Sequence, residues 1–179
     1  MLDASARTEL LKLARTALEE YFARGYVEEQ TTSSEELSAL KGAFVSLHRG
    51  DVLRGCIGQI YPDRELHKIV QNCALSAALE DARFQPVRAE ELPDISIEIS
   101  VLTPFRQIHD PEDVEVGRHG LYIQSGRFRG LLLPQVAAQY SWDRETFLCQ
   151  TCRKAGLPES AWRDPHTTIH TFEAEVFAE

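Results

Sequence analysis

The sequence predicts an α+β fold in which helices pack on a mainly antiparallel sheet. Three observations predict it: apolar residues recur at helical spacing in long segments, strand-like segments lie between them, and short turns join neighbouring strands. Because hairpins outnumber strand–helix–strand units, antiparallel pairing is favoured over a parallel sheet.

The first predicted element is a helix over Ser5–Arg24. Its apolar residues recur at steps of three and four and would form one stripe facing the core. They are Ala6, Leu10, Leu13, Ala14, Ala17, Leu18, Tyr21 and Phe22. Gly25 is a typical helix stop, and the polar stretch Glu28–Ser38 is predicted to be a surface connection.

Two strands follow, over Ala43–His48 and Val52–Gly58, and the turn Arg49–Asp51 indicates a hairpin. A second helix is predicted after Pro62, with Asp63 as its N-cap. Its apolar stripe consists of Leu66, Ile69, Val70, Cys73, Ala74, Ala77 and Ala78. Cys73 is therefore predicted to be a small core residue.

The clearest alternation of apolar and polar residues runs from Ile95 to Val101 and predicts a strand. A second hairpin is predicted for Leu121–Gln124 and Arg129–Leu133, followed by a helix from Asp143 to Ala155. The last predicted element is a strand over Thr167–Phe177. The 179 residues are predicted to form one domain, residues 1–179.

Composition narrows the function classes. The net charge of -9 argues against general nucleic-acid binding, which requires a basic face. No apolar run approaches the ~18 residues of a membrane span. The first residues also lack the apolar core of a secretory signal, so we expect a cytoplasmic protein whose four cysteines stay reduced.

The segment Leu53–Gly58 has the highest density of candidate site residues. On a regular strand Arg54, Cys56 and Gly58 share one face, with the Cα atoms of Arg54 and Cys56 roughly 7 Å apart. A nearby guanidinium favours the thiolate, which is the reactive form of cysteine. The segment thus indicates either a reactive cysteine beside an anion-holding arginine or a small apolar residue packed in a glycine-rich strand.

Three other features could join this site. His119 lies in a turn bracketed by glycines and could act as a base, or simply occupy a surface turn. Glu98 and Ser100 project from the polar face of their strand, which is predicted to face solvent or a cleft. Arg83 closes the second helix and offers another guanidinium, although a cation at a helix C-terminus also has a structural role.

A zinc-like pattern near the end of the sequence is rejected as a classical zinc finger, and its two cysteines are predicted to be packing residues. Cys149 and Cys152 are followed by His166 and His170. The histidines lie in a strand-like segment, where they would be ~13 Å apart and unable to bind one ion. The motifs of phosphate-binding loops, dinucleotide sites and serine hydrolases do not occur, so no cofactor is predicted.

With these residues assembled, the chain resembles the AMMECR family, also called AmmeMemoRadiSam system protein A. The resemblance rests on five blocks in a fixed order: LRGCIG at 53–58, ELPDISIEISVLTP at 91–104, GRHGLYI at 117–123, RGLLLPQVA at 129–137 and CRKAGL at 152–157. One departure is Ala82, where the family more often has proline. Cys149, His166 and His170 lie outside these blocks.

The resemblance implies an α+β fold with a larger lobe from both ends of the chain and a smaller lobe from the middle. It also implies a cleft lined by the RGCIG block. It does not supply an activity. The family's association with Memo-type and radical-SAM proteins implies a shared pathway.

Two functional hypotheses follow. In the first, the protein is a small-molecule enzyme with Cys56 as nucleophile, His119 as acid or base and Glu98 as its orienter. The substrate contacts would then be Arg54, Gly58, Arg83 and Ser100. In the second, the same surface binds a small anionic molecule, a nucleotide or a partner peptide without turnover, and Cys56 is merely packed. The arginine–cysteine pair with its glycines favours a small-molecule site over an adaptor surface.

Overall fold

A computed structural model describes all residues, 1–179. The chain divides into two units, residues 1–102 with 175–179 (unit 1) and residues 103–174 (unit 2). The helices are α1 (Ala4–Arg24), α2 (Glu35–Ser38), α3 (Leu66–Leu79), α4 (Pro134–Gln139) and α5 (Arg144–Lys154). The strands are β1 (Ala43–Arg49), β2 (Val52–Gln59), β3 (Ile95–Leu102), β4 (Arg106–Ile108), β5 (Gly120–Ser125), β6 (Phe128–Leu132), β7 (Thr168–Phe172) and β8 (Ala174–Ala178).

Unit 1 contains a four-stranded sheet in the order β2-β1-β3-β8, with β1 antiparallel to both β2 and β3. One face of this sheet packs on α1 and α3 and supplies the core with residues such as Val45, Leu47, Ile97 and Ile99. Because side chains alternate between faces, the residues between them project from the opposite face of the sheet. That opposite face carries Cys56, Gly58, Glu98 and Ser100.

Unit 2 contains a second sheet in the order β4-β7-β5-β6, and β7 and β5 are paired antiparallel at its centre. Its core is formed by one face of this sheet with α5, including Leu121, Ile123, Phe147 and Leu148. The α+β class and the mainly antiparallel pairing are thus confirmed. None of the helices has the length and apolar character needed to cross a bilayer.

The ends of α1 follow the predicted chemistry. Asp3 caps the helix by accepting a hydrogen bond from the Ala6 amide at 2.7 Å. Gly25 ends it in the left-handed conformation, with φ of +78°, and its amide donates to the carbonyl of Tyr21. The predicted helix and its stop are confirmed.

The predicted start of α3 is wrong. The helix begins at Leu66 after Glu65, which makes no side-chain capping bond. The Asp63 carboxylate is engaged elsewhere, because it accepts hydrogen bonds from the side chains of Gln59 and Arg64. The buried stripe is confirmed, and it includes Cys73.

Two segments differ from the prediction. The connection Glu28–Ser38 contains α2, where Ser34 caps the turn and Leu37 is fully buried. The single strand predicted over Thr167–Phe177 is two strands in different sheets. They separate at Glu173, whose backbone exchanges hydrogen bonds with Thr103. The sequence prediction also missed α4, which starts at a proline as helices often do.

We predict that Gly55→Ala destabilises unit 1. A Cβ atom at this position would lie 2.1 Å from the carbonyl oxygen of Ala77, which belongs to the backbone of α3. Relief requires a shift of the helix, so we expect a loss of about 1–3 kcal/mol in the free energy of unfolding. Urea unfolding measures it, with Val52→Ala as the control.

Val52 lies on the same strand but is exposed, so its replacement should change stability by less than about 0.5 kcal/mol. Equal stability of Gly55→Ala and wild-type protein would contradict the close approach of α3 to β2.

Candidate functional site

Cys56 lies on β2, which is an edge strand of its sheet. Its amide donates to Oδ2 of Asp81 at 2.9 Å, and its carbonyl accepts a hydrogen bond from Nη2 of Arg83 at 3.3 Å. Both backbone groups therefore point away from β1. Cys56 and its partner Ser46 consequently form a non-hydrogen-bonded pair, in which the facing side chains are closest.

The side chains of this pair are in contact. Oγ of Ser46 donates a hydrogen bond to Sγ of Cys56 at 3.2 Å. Ser46 also lies opposite Glu98 on β3, so Cys56, Ser46 and Glu98 form one row across three strands. We call these three residues the thiol row. Ser46 is buried and the other two are half-buried, but the Glu98 carboxylate makes no hydrogen bond or ion pair.

The next row of the same face differs from the expectation. Ser100, predicted to face solvent or a cleft, is only 2% exposed. It lies opposite Phe44, which in turn lies opposite Gly58. The Phe44 ring covers Gly58 so closely that a Cβ atom there would come within 2.2 Å of it. The space above Gly58 is therefore filled by an aromatic ring, and the suggested close approach of a ligand to this glycine is not supported.

Arg54 does not share the row of Cys56. The β1–β2 register shifts between Leu47 and His48, so Arg54 is an extra residue without a partner on β1. Such a bulge re-aims the side chain. The guanidinium makes two bonds to Glu91, from Nε at 2.9 Å and from Nη2 at 3.0 Å.

The same guanidinium also donates to the carbonyls of Gln85 and Pro86. It therefore fixes the segment after α3. The predicted role of Arg54 as an anion holder that activates Cys56 is not supported, because four of its five N–H donors are already engaged.

Arg83 is the guanidinium that lies beside Cys56. Its Nε and Nη2 atoms bind both oxygens of Asp81, at 2.9 and 2.7 Å. The Arg83 side chain is 55% exposed, whereas Asp81 is buried, and Nη1 has no protein partner. The sequence prediction missed Asp81, although an aspartate two residues before an arginine at a helix end is a recognisable turn signal.

Asp81 links α3 to the edge of the sheet. Its carboxylate accepts hydrogen bonds from the Arg83 side chain and amide and from the Cys56 amide. The Arg83 hydrogen bonds, with help from the Cys56 amide, hold the pKa of Asp81 well below its usual range. Asp81 is thus a permanent anion near neutral pH.

The surroundings of Cys56 favour the protonated thiol over the thiolate. Burial raises its pKa, and the charges of Asp81 and Glu98 raise it further. The Ser46 hydrogen bond and the Arg83 charge act in the opposite direction but do not outweigh burial. Arg54 is not among the groups that shift the pKa of Cys56, and the guanidinium that favours the thiolate is that of Arg83.

His119 belongs to unit 2. Its Nδ1 atom accepts a hydrogen bond from the Glu115 amide at 3.1 Å, so in the neutral ring Nε2 carries the proton. Gly117 has φ of +88°, and Gly120 lies under the Phe172 ring. The backbone conformation of the first and the close ring contact of the second explain why glycine occupies both positions. That His119 acts together with Cys56 stays a prediction.

The four residues of the rejected zinc pattern are also in unit 2. Cys149 and Cys152 lie on α5, with Cys152 in the core. His170 lies on β7, and His166 precedes that strand. No group of three or more histidine, cysteine or acidic side chains is arranged to hold a metal ion.

The fold and the site together define an α+β protein that carries a protonated thiol on the polar face of an antiparallel sheet. Comparison with known proteins extends this description. A protein of Thermococcus gammatolerans is 45% identical over 95% of this chain and 88% of its own length. The protein PF1979 of Pyrococcus furiosus is 44% identical over 95% of this chain and 86% of its own length.

The crystal structure of the uncharacterized protein PH0010 from Pyrococcus horikoshii has the same fold. It superimposes with a TM-score of 0.90 at 42% identity and covers 96% of this chain and 90% of that one. The AMMECR1 family model matches residues 11–177. The chain belongs to the AMMECR1 family.

We predict that the Arg54–Glu91 pair makes the free energy of unfolding depend on pH in the acidic range. The Arg54 hydrogen bonds, and then the Arg88 amide, lower the pKa of Glu91 to about 2. The usual value is about 4.3, so the charged carboxylate stabilises the fold above that pH, and this contribution is lost as pH falls towards 2. Between pH 6 and 3, wild-type protein should lose about 1 kcal/mol more than Glu91→Gln.

Urea unfolding at several pH values measures this difference. Glu90→Gln is the matched control, because Glu90 is exposed and forms no ion pair. Stability curves of wild type and Glu91→Gln that run parallel would refute the assignment.

Proposed function

We propose that the thiol row binds a small ligand, and that Cys56 acts there as a neutral hydrogen-bonding thiol. The observation that carries the proposal is the unpaired carboxylate of Glu98 beside a protonated thiol and a serine hydroxyl. Partial burial of a charged group that has no partner destabilises a folded protein. A ligand that donates to Glu98 would supply the missing partner.

The charges of this face favour a particular ligand class. The Arg54 and Arg83 guanidinium groups are paired with Glu91 and Asp81. Glu98 is thus the uncompensated charge, and it is negative. A ligand carrying an amine or another positively charged donor fits this face better than the anionic molecule or nucleotide suggested by the sequence.

A catalytic nucleophile is the second candidate function. The Ser46 hydroxyl and the Arg83 charge both stabilise the thiolate of Cys56. A substrate that neutralised Glu98 would remove one of the charges that oppose ionisation. The involvement of Memo-type and radical-SAM proteins stays a prediction from the family resemblance.

We predict that Cys56 alkylates with an apparent pKa above the ~8.5 of a free thiol. Glu98→Gln should lower this pKa because it removes a negative charge, whereas Ser46→Ala and Arg83→Gln should raise it. Alkylation rates against pH, read for each cysteine by mass spectrometry, measure the shifts. Cys73, whose pKa burial raises to about 12, is the internal reference for a fully protected thiol.

Glu90→Gln, at an exposed carboxylate, controls for the general effect of removing one charge. An apparent pKa of Cys56 clearly below 8.5 would overturn the neutral-thiol role and favour the nucleophile.

We predict that small primary amines stabilise the protein through Glu98. A thermal-shift series with ethanolamine and putrescine, against acetate at equal ionic strength, tests this. At about 100 times the dissociation constant a ligand adds about 2.7 kcal/mol of stability. Glu98→Gln should abolish the amine effect, and Glu90→Gln should keep it.

An amine effect of equal size in Glu98→Gln would contradict the role of the carboxylate. Stabilisation by acetate but not by the amines would contradict the charge preference of the site.

A further inference from the structure

Unit 2 contains a cavity of about 320 Å³ that lies away from its apolar core. Its walls come from the start of β4, the turn that precedes β5, and the end of β7. The polar residues that matter are Thr103, Arg106, Glu115, Arg118, His119 and Glu173. The volume suits a small molecule of a few heavy atoms.

The two carboxylates of this cavity are already paired. Arg118 donates to Glu173 from Nε at 2.9 Å and to Glu115 from Nη1 at 3.1 Å. One guanidinium thus bridges both acidic residues. Both carboxylates of the cavity are therefore paired with Arg118, and neither is free to pair with the second cation of the cavity.

That second cation is Arg106. Its guanidinium makes no ion pair, hydrogen bond or ring contact, although its backbone carbonyl accepts a bond from the Thr171 hydroxyl. The side chain is exposed at the first residue of β4. Its planar set of donors is therefore available to a ligand.

Two further donors accompany Arg106. The Glu115 amide occupies Nδ1 of His119, so in the neutral ring the Nε2–H group is the free donor, and it has no protein partner. The Thr103 oxygen accepts from the Glu173 amide at 2.8 Å, which leaves its hydroxyl proton without a protein acceptor. Neighbouring donors that all lack acceptors are typical of an anion site.

We propose that this cavity binds a small monocarboxylate. The Arg106 guanidinium matches the two oxygens of a carboxylate, and His119 Nε2 or the Thr103 hydroxyl would donate to the same group. A single charge is favoured because only one cation is unpaired. A doubly charged phosphate would also meet the oxygens of Glu115 and Glu173. The site is separate from the thiol row and has the opposite charge preference, so each proposal can fail alone.

The test is a titration of the ¹⁵N-labelled full chain with pyruvate, followed by nuclear magnetic resonance. Inorganic phosphate and sodium chloride at equal ionic strength are the comparison ligands. We expect saturable shifts of the Arg106 Nε–H signal and of the amides of Arg118 and His119 with pyruvate. Because the bond to Arg106 is charge-assisted, Arg106→Gln should weaken binding by about tenfold or more.

Arg127→Gln is the matched control, because Arg127 is an exposed arginine of the same unit that makes no ion pair and does not line the cavity. His119→Asn keeps an acceptor for the Glu115 amide but removes the outer donor, so it should weaken binding about threefold to tenfold. Unchanged binding in Arg127→Gln completes the expected result.

Absence of saturable shifts with pyruvate would overturn the site. Equal binding by Arg106→Gln and Arg127→Gln would overturn the role of Arg106. Tighter binding of phosphate than of pyruvate would overturn the assignment to a monocarboxylate.

Discussion

The candidate site depends on the way the edge of β2 is closed at Cys56. The Asp81 carboxylate takes the outward amide of this residue, and the Arg83 guanidinium takes its carbonyl. The Asp81–Arg83 ion pair thus makes the backbone hydrogen bonds that a neighbouring strand would make at this edge. This arrangement turns the Cys56 side chain towards Ser46 and so determines the partner, the burial and the protonation of the thiol.

Much of the fold could be predicted because local chemistry and tertiary packing agree. The helix that ends at Gly25 and the apolar stripe that contains Cys73 can be predicted from residue spacing and capping residues alone. The prediction failed where a contact with a residue distant in the sequence determines the local structure. The bulge at Arg54 depends on its register with β1, and the break at Glu173 depends on a bond to Thr103. Neither partner can be read from the local sequence.

The site shows the same limit at finer scale. Alternation correctly places Cys56 and Glu98 on the polar positions of their strands, but it cannot say that β1 lies between these strands and that Ser46 joins the two residues in one row. It also makes Gly58 a candidate substrate contact, whereas the Phe44 ring on the neighbouring strand covers this glycine. Charge alone likewise cannot tell a free arginine from a paired one, so the sequence points to Arg54, which is paired with Glu91, and not to Arg106, which has no partner.

The division of β7 and β8 between two sheets has a consequence for the order of assembly. Residues 175–179 complete the sheet of unit 1, where Glu179 accepts hydrogen bonds from the Ile97 amide and the Arg15 side chain. All of residues 103–174 precede that segment in the chain. During synthesis the ribosome therefore delivers every residue of unit 2 before it delivers the last strand of unit 1. Until residues 103–174 have been synthesised, one edge of β3 has no neighbouring strand, because β8 has not yet been made.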